Sequence, residues 1–209
     1  MDNRELILPL LKFDNGDMFY FIQIYQRRRD NPEMSQDMRV LGNYAVHSIE
    51  QFDKFWPEIK KICDDNNARA YIRLNRRSDK KVALQMLARM ATMIASEQYN
   101  VKNLYWSIAG EFHSEKDKTW LLDIDYIDYE NETGKRNLDA IENQVILLQR
   151  EAGKEPLMRK IPSKNGYHII ARPFNIDKIK TLLNNIERRM DIHKDNPTIL
   201  YTGENDNEN

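Results

Sequence analysis

Three scarcities bound what this chain can be. A single cysteine, Cys63, among 209 residues excludes an internal disulfide and a multi-cysteine zinc site, and it suits a reducing compartment. Neither charge sign is in excess: 32 Lys and Arg face 33 Asp and Glu, for a formal charge of −1. No global basic field advertises nucleic acid, so any such binding needs a local patch. Long apolar runs are missing as well. The opening MDNRELILPLLKF carries acids and Pro9 where a signal peptide needs a basic start and an apolar core. The expectation is a cytoplasmic protein with no membrane partner. Low complexity is confined to GENDNEN, residues 203–209, expected to be a disordered tail.

What is present divides into an amino-terminal α/β module, residues 1–118, and a second module, residues 119–202, expected to pack into one compact body. In the first, the apolar opening fits helix or strand, residues 14–17 read as a turn, and strands are expected at 18–25 and 39–47. Ser48 and Gln51 form a capping box for a helix carrying Ile49, Phe52, Phe55, Trp56, Ile59 and Ile62 at helical spacing, with Pro57 kinking it or marking its first turn. Ser78 caps a second helix to about residue 98, with Val82, Met86/Leu87, Met90 and Met93/Ile94 as a packing stripe. A further strand is expected at 104–110, followed by a polar loop that includes His113.

Two basic segments stand out. Arg27, Arg28 and Arg29 leave the first strand as a run that either grips phosphates or lines a solvated loop. In RAYIRLNRR, residues 69–77, alternation puts Ala70, Ile72 and Leu74 on one face and Arg69, Tyr71, Arg73, Asn75 and Arg77 on the other. Arg69, Tyr71 and Arg73 are the nucleic-acid-binding candidates, because a ring among guanidiniums can stack a base while the cations hold phosphates. The alternative is a solvated face or ion pairs with neighbouring acids.

From residue 119 the pattern reads as strand 119–126, helix 138–151 stopped by Gly153, strand 156–161, turn 162–166, strand 167–172, a helix capped near Asn175 with Ile176, Ile179, Leu182/Leu183 and Ile186 as its stripe, and a last strand within 190–202. This βαββαβ order predicts an α+β chain with a ferredoxin-like, or RNA-recognition-motif-like, sheet. The first strand, TWLLDIDY, ends in Asp123 and Asp125. As i and i+2 residues they share a face, with Cα atoms roughly 7 Å apart. Two same-side acids at the end of a buried strand repel each other and lose hydration, and a divalent metal removes that cost. Incidental acids at a solvated strand end are the plainer explanation. In the expected topology the starts of the third and fourth strands lie beside this end. They bring Ser163, Gly166 and His168, then Asp191 and Asp195, while Arg159 and Lys160 end the neighbouring second strand. Carboxylates for Mg²⁺ or Mn²⁺ among cations for phosphate suit a metal-bound nucleoside triphosphate.

Leu121-Leu122-Asp123-Ile124-Asp125 resembles the DxD motif of the archaeo-eukaryotic primase superfamily, and Gly166-Tyr167-His168 resembles its small-x-His motif. Its hydrophobic-acid third motif is matched by Met190-Asp191, with Asp195 as a competitor. The resemblance covers about residues 119–201. It implies a metal-dependent, template-directed nucleotidyltransferase, a primase or primase-polymerase of small phage or mobile-element type. Asp123, Asp125 and Asp191 or Asp195 would hold Mg²⁺ or Mn²⁺, and His168 would bind nucleotide phosphate with Ser163, Lys164, Gly166, Arg159 and Lys160. Gly166 would allow close approach to phosphate. The implied partners are a single-stranded DNA template, nucleoside triphosphates and a separate helicase or replication protein. A non-catalytic nucleic-acid-binding protein on the same fold and a metal-dependent phosphodiesterase are the competing readings.

Overall fold

The computed structural model describes residues 1–125, 132–183, 190–195 and 197–203. Among these residues it is a mixed α+β chain, with six α-helices and two four-stranded antiparallel sheets. Contacts divide it into two units: Met1–Lys116 with Leu200–Asn209, and Asp117–Ile199.

The first unit opens with α1 (Arg4–Ile7) and a 3-10 turn (Leu8–Leu10). Its sheet runs β2 (Met38–Val46), β1 (Met18–Arg27), β3 (Arg69–Ser78), β8 (Thr198–Thr202), and β1 pairs antiparallel with both β2 and β3. Helices cover both of its faces. On one, α2 (Ile49–Asp65) buries Phe52, Ile59 and Cys63, and Phe55 meets Tyr44 of β2 with ring centroids 5.2 Å apart. Burial pushes the Cys63 thiol up to about 12, which makes it a packing residue rather than a reactive one. On the other face, Phe19 and Phe21 of β1 stack on Tyr105 and Trp106. There α3 (Asp79–Ala95) and α4 (Leu104–Glu111) close a cluster with Val82, Met86, Met90, Met93 and Ile108.

The helix starts follow capping chemistry. Ser48 Oγ accepts from the Gln51 amide at 3.2 Å, and Gln51 Oε1 accepts from the His47 amide at 2.9 Å. Pro57 lies inside α2 rather than in its first turn. Ser78 Oγ accepts from the Lys81 amide at 3.1 Å and donates to Asp17 at 2.6 Å, while Asp17 also accepts from the Lys80 amide at 3.0 Å. These bonds, the Ser78 hydroxyl first, hold the Asp17 carboxyl below its ordinary value.

Residues 104–110, expected as a strand, form α4. Leu104, Ile108 and Ala109 are the buried positions, an i, i+4, i+5 spacing that belongs to a helix. Packing of this segment on Phe19 and Phe21 settles it as a helix.

The second unit orders its elements β4 (Trp120–Asp125), α5 (Glu132–Glu151), β5 (Met158–Pro162), β6 (Gly166–Ala171), α6 (Ile176–Leu183), β7 (Met190–His193). Its sheet runs β5, β6, β4, β7, antiparallel throughout. Leu122, Ile124, Ile169 and Ala171 project from one face into a cluster with Leu138, Ile141, Val145 and Leu148 of α5 and with Ile179 of α6. Gly153, at φ +70°, follows the end of α5. Asn175 Oδ1 accepts from the Asp177 amide at 3.0 Å at the start of α6. Tyr126, Ile186 and the side chains of Leu182 and Leu183 lie outside the described residues.

The expected single strand within 190–202 is two. β7 completes the second sheet, and β8 leaves it to join the first. The expected module boundary at 202 therefore falls differently, since residues from Leu200 onward count with the first unit. Gly203, assigned above to the tail, is buried and donates to the Ala68 carbonyl at 3.1 Å; residues 204–209 lie outside the described residues.

Candidate metal and nucleotide site

Alternation along β4 decides what Asp123 can do. Leu122 and Ile124 are committed to the helix-covered core, so Asp123 and Asp125 project from the opposite face. Register then sets the neighbours: Asp123 pairs with His168 on β6 and with Asp191 on β7, and Asp125 pairs with Gly166. Directly paired residues share a face, so His168, Asp123 and Asp191 form a row across three strands. Asp195 lies past the end of β7, outside this row.

His168 is buried, and its Nε2 stands 3.5 Å from Asp123 Oδ1. The Ile199 amide donates to Nδ1 at 3.4 Å, and Thr198 Oγ1 is 3.0 Å from the same nitrogen. An amide donor on Nδ1 makes Nε2 the proton-bearing nitrogen of the neutral ring, facing the carboxylate. Thr198 was not singled out in the sequence: it lies 30 residues from His168, and nothing local links them. The Asp123 side chain keeps 34% of its surface exposed, so the row is accessible at the acid and closed at the histidine.

The remaining candidates divide. Arg159 pairs in register with Ile170 and so shares the face of His168, and its guanidinium donates to the Met158 carbonyl at 2.9 Å. Lys160 is one position off, opposite Ile169 on the helix-covered face, where it pairs with Glu142 of α5 at 2.8 Å. This removes it from the row: a one-residue step along a strand changes face. Ser163 and Lys164 lie in the β5–β6 turn, Lys164 exposed, and the Ser163 amide donates to the Gly166 carbonyl at 2.9 Å. Gly166 has a local reason for lacking a side chain, because a Cβ there would stand 1.9 Å from the Ile124 carbonyl oxygen and 3.2 Å from Asp125 Cα. Its smallness serves the approach of β6 to β4, which is a structural need independent of phosphate.

A divalent cation can be tested against this donor set. Three carboxylates, Asp123, Asp125 and Asp191, supply the hard oxygens that Mg²⁺ and Mn²⁺ select. Among the described residues, however, no three His, Cys, Asp or Glu side chains are gathered into a group that could hold an ion. The donors fit in kind and in strand position, while their side chains do not converge as they stand.

The strand proposed as a nucleic-acid surface is built differently from expectation. Arg69 and Tyr71 are buried, as are Asn75, Arg76 and Arg77, and only Arg73 of the three candidates is half-buried. Arg69 is spent on Asp30, 2.5 Å away, in a pair of enclosed side chains. Tyr71 is occupied by Tyr25, 5.7 Å between centroids, and by the Arg27 guanidinium 5.3 Å from its ring. Arg76 is held by Glu115 at 2.6 Å and by Asp14. The face expected to be polar and accessible is largely interior, with Arg69 answered by an acid from a distant segment and Arg77 by the carbonyls of Ala109 and Asn75. Arg28 and Arg29, at the exit of β1, are exposed.

No family model, curated protein or solved structure matches this chain.

Proposed function

We propose that the chain is a metal-dependent, template-directed nucleotidyltransferase of the archaeo-eukaryotic primase type, with its site at the partly exposed acid Asp123, on the face of β4, β6 and β7 away from α5. The observation that carries the reading is the in-register row His168, Asp123, Asp191, with Asp125 two residues further along β4. The element order of the second unit and its strand order β5, β6, β4, β7 are those a ferredoxin-like or RNA-recognition-motif-like module would have. In this reading Asp123, Asp125 and Asp191 are the metal ligands, and the bound cation supplies charge neutralisation at phosphate. His168, held by Thr198 and the Ile199 amide, presents Nε2 to a nucleotide phosphate; Arg159, Lys164 and Ser163 add donors from β5 and its turn. Template contact passes from Arg69 and Tyr71, which are engaged internally, to Arg28 and Arg29, with Arg27 anchoring that segment on Tyr71.

A second reading, a non-catalytic nucleic-acid-binding protein, draws on the uncollected carboxylates. One experiment separates the readings. Purified protein is incubated with Mn²⁺ or Mg²⁺, labelled ribo- and deoxynucleoside triphosphates, and single-stranded DNA with and without a primer. Extension or de novo synthesis, lost in Asp123→Ala, is the expected result. Template binding without synthesis supports the second reading, and degradation of the template supports a phosphodiesterase.

A further inference from the structure

Helix α3 carries a second apolar stripe. Val82, Met86, Met90 and Met93 pack against Phe19, Phe21 and Ile108, whereas Leu84, Leu87 and Ile94 are 56%, 64% and 55% exposed. With Ala91, also exposed, these residues follow the 3-4-3 spacing of a coiled-coil seam, on the side of the helix away from the sheet. Ala88 and Ala95, exposed beside the seam, are small enough to let another helix approach closely. A monomer ordinarily leaves apolar residues scattered singly, so a row of three large ones along about 15 Å of helix marks a docking face.

The stripe selects its own partner. In an antiparallel pairing related by a two-fold axis between Leu87 and Ala91, residue i faces residue 178 − i. Leu84 then meets Ile94, Leu87 meets Ala91, and Lys81 meets Glu97, each contact occurring twice. The large residues interdigitate with one another or with alanine, and the lysines at the helix start, Lys80 and Lys81, come to the acid just beyond the helix end. Antiparallel macrodipoles also attract. Such self-complementarity of apolar register and charge is what an isologous interface requires. We infer that α3 pairs with α3 of a second copy of this chain, antiparallel, through Leu84, Leu87, Ala91 and Ile94.

Sedimentation velocity of the full chain over a concentration series tests this. The parent protein should move reversibly from monomer to dimer, and Leu87→Glu should be monomeric throughout, with its circular dichroism and urea midpoint unchanged. Lys81→Glu should raise the dissociation constant about tenfold or more by setting like charges opposite each other, and adding Glu97→Lys should reverse that loss. Because Cys63 is buried, Leu84→Cys combined with Ile94→Cys should give a covalent dimer on mild oxidation that neither single variant gives, a leg of the test that does not depend on Leu87→Glu folding. A parent that stays monomeric at every concentration, a dimer that survives Leu87→Glu, or a monomer that instead binds anionic vesicles through Leu87 would each overturn the inference.

Discussion

The two sheets treat charge in opposite ways. In the first, β3 carries Arg69, Arg76 and Arg77 into the interior and answers each: Arg69 with Asp30, Arg76 with Glu115 and Asp14, Arg77 with the carbonyls of Ala109 and Asn75. In the second, β4 carries Asp123 to a partly exposed position between a histidine and another acid. An arginine satisfied on every side stabilises a fold, because removing it leaves buried acceptors without donors. An acid set beside another acid stabilises nothing by itself and becomes useful when a cation arrives. The comparison teaches that a strand's charges must be read with their surroundings: those of β3 are enclosed with their partners, whereas the Asp123 side chain keeps part of its surface in solvent.

The sharpest way to break this contrast is to remove a spent charge. Asp30→Ala, which strands Arg69 in the interior, should cost about 3–5 kcal/mol in urea unfolding, and Arg77→Ala should fall in the same range. A loss of only a few tenths would mean that the first sheet's charges are as dispensable as surface ones. Asp123→Asn should show the reverse profile. Synthesis should drop about 10²–10³-fold, the scale of losing a group that acts on the reacting phosphate, while the unfolding midpoint stays within error. If stability falls and activity persists, Asp123 belongs with the structural charges.

Glycines offer a matched pair. A Cβ at Gly166 would meet the Ile124 carbonyl at 1.9 Å, and one at Gly203 would meet the Cys63 carbonyl at 2.5 Å. Each change to alanine should cost about 1–3 kcal/mol from overpacking. Only Gly166→Ala should also depress synthesis, since it shifts β6 against the strand bearing Asp125. Equal activity in the two variants would detach Gly166 from the site. A milder effect is expected for His168→Ala: the apparent nucleotide KM should rise about tenfold, equivalent to roughly 1.4 kcal/mol, while template affinity is retained. An unchanged KM would make the histidine a core residue held by Thr198.

The smallest effect belongs to Ser78→Ala, about 1 kcal/mol for a lost cap. It carries a pH signature. The Ser78 hydroxyl and the Lys80 amide lower the Asp17 carboxyl, and Arg76 lowers Asp14. Groups depressed in the folded state lend stability above their ordinary value, near 3.8, and lose it as pH falls through the folded value. The gap between parent and Ser78→Ala should therefore be full at neutral pH and narrow as acid titrates Asp17. A gap that widened in acid would refute the assignment.

Much of this chain was legible without coordinates. The caps at Ser48 and Ser78, the existence of strands β1, β2 and β4, and the stripe Leu138, Ile141, Val145, Leu148 are local signals, set by hydrogen bonds, apolar runs and spacings within a few residues of one another. The same signals could not decide α4, whose helix comes from packing on Phe19 and Phe21. Nor could they choose Met86 and Met93 over Leu87 and Ile94 for the core, or divide residues 190–202 between two sheets.

Sequence alone determined that Asp123 and Asp125 share a face of one strand, because side-chain alternation is a property of the extended backbone. Tertiary structure decided who stands beside them. Strand register set Asp191 rather than Asp195 opposite Asp123, turned Lys160 away to Glu142, and brought Thr198 to His168 across 30 residues. It also decided that Arg69 and Tyr71 are interior. Burial depends on which distant segments fold over a strand face, and alternation distinguishes two faces without saying which of them meets water.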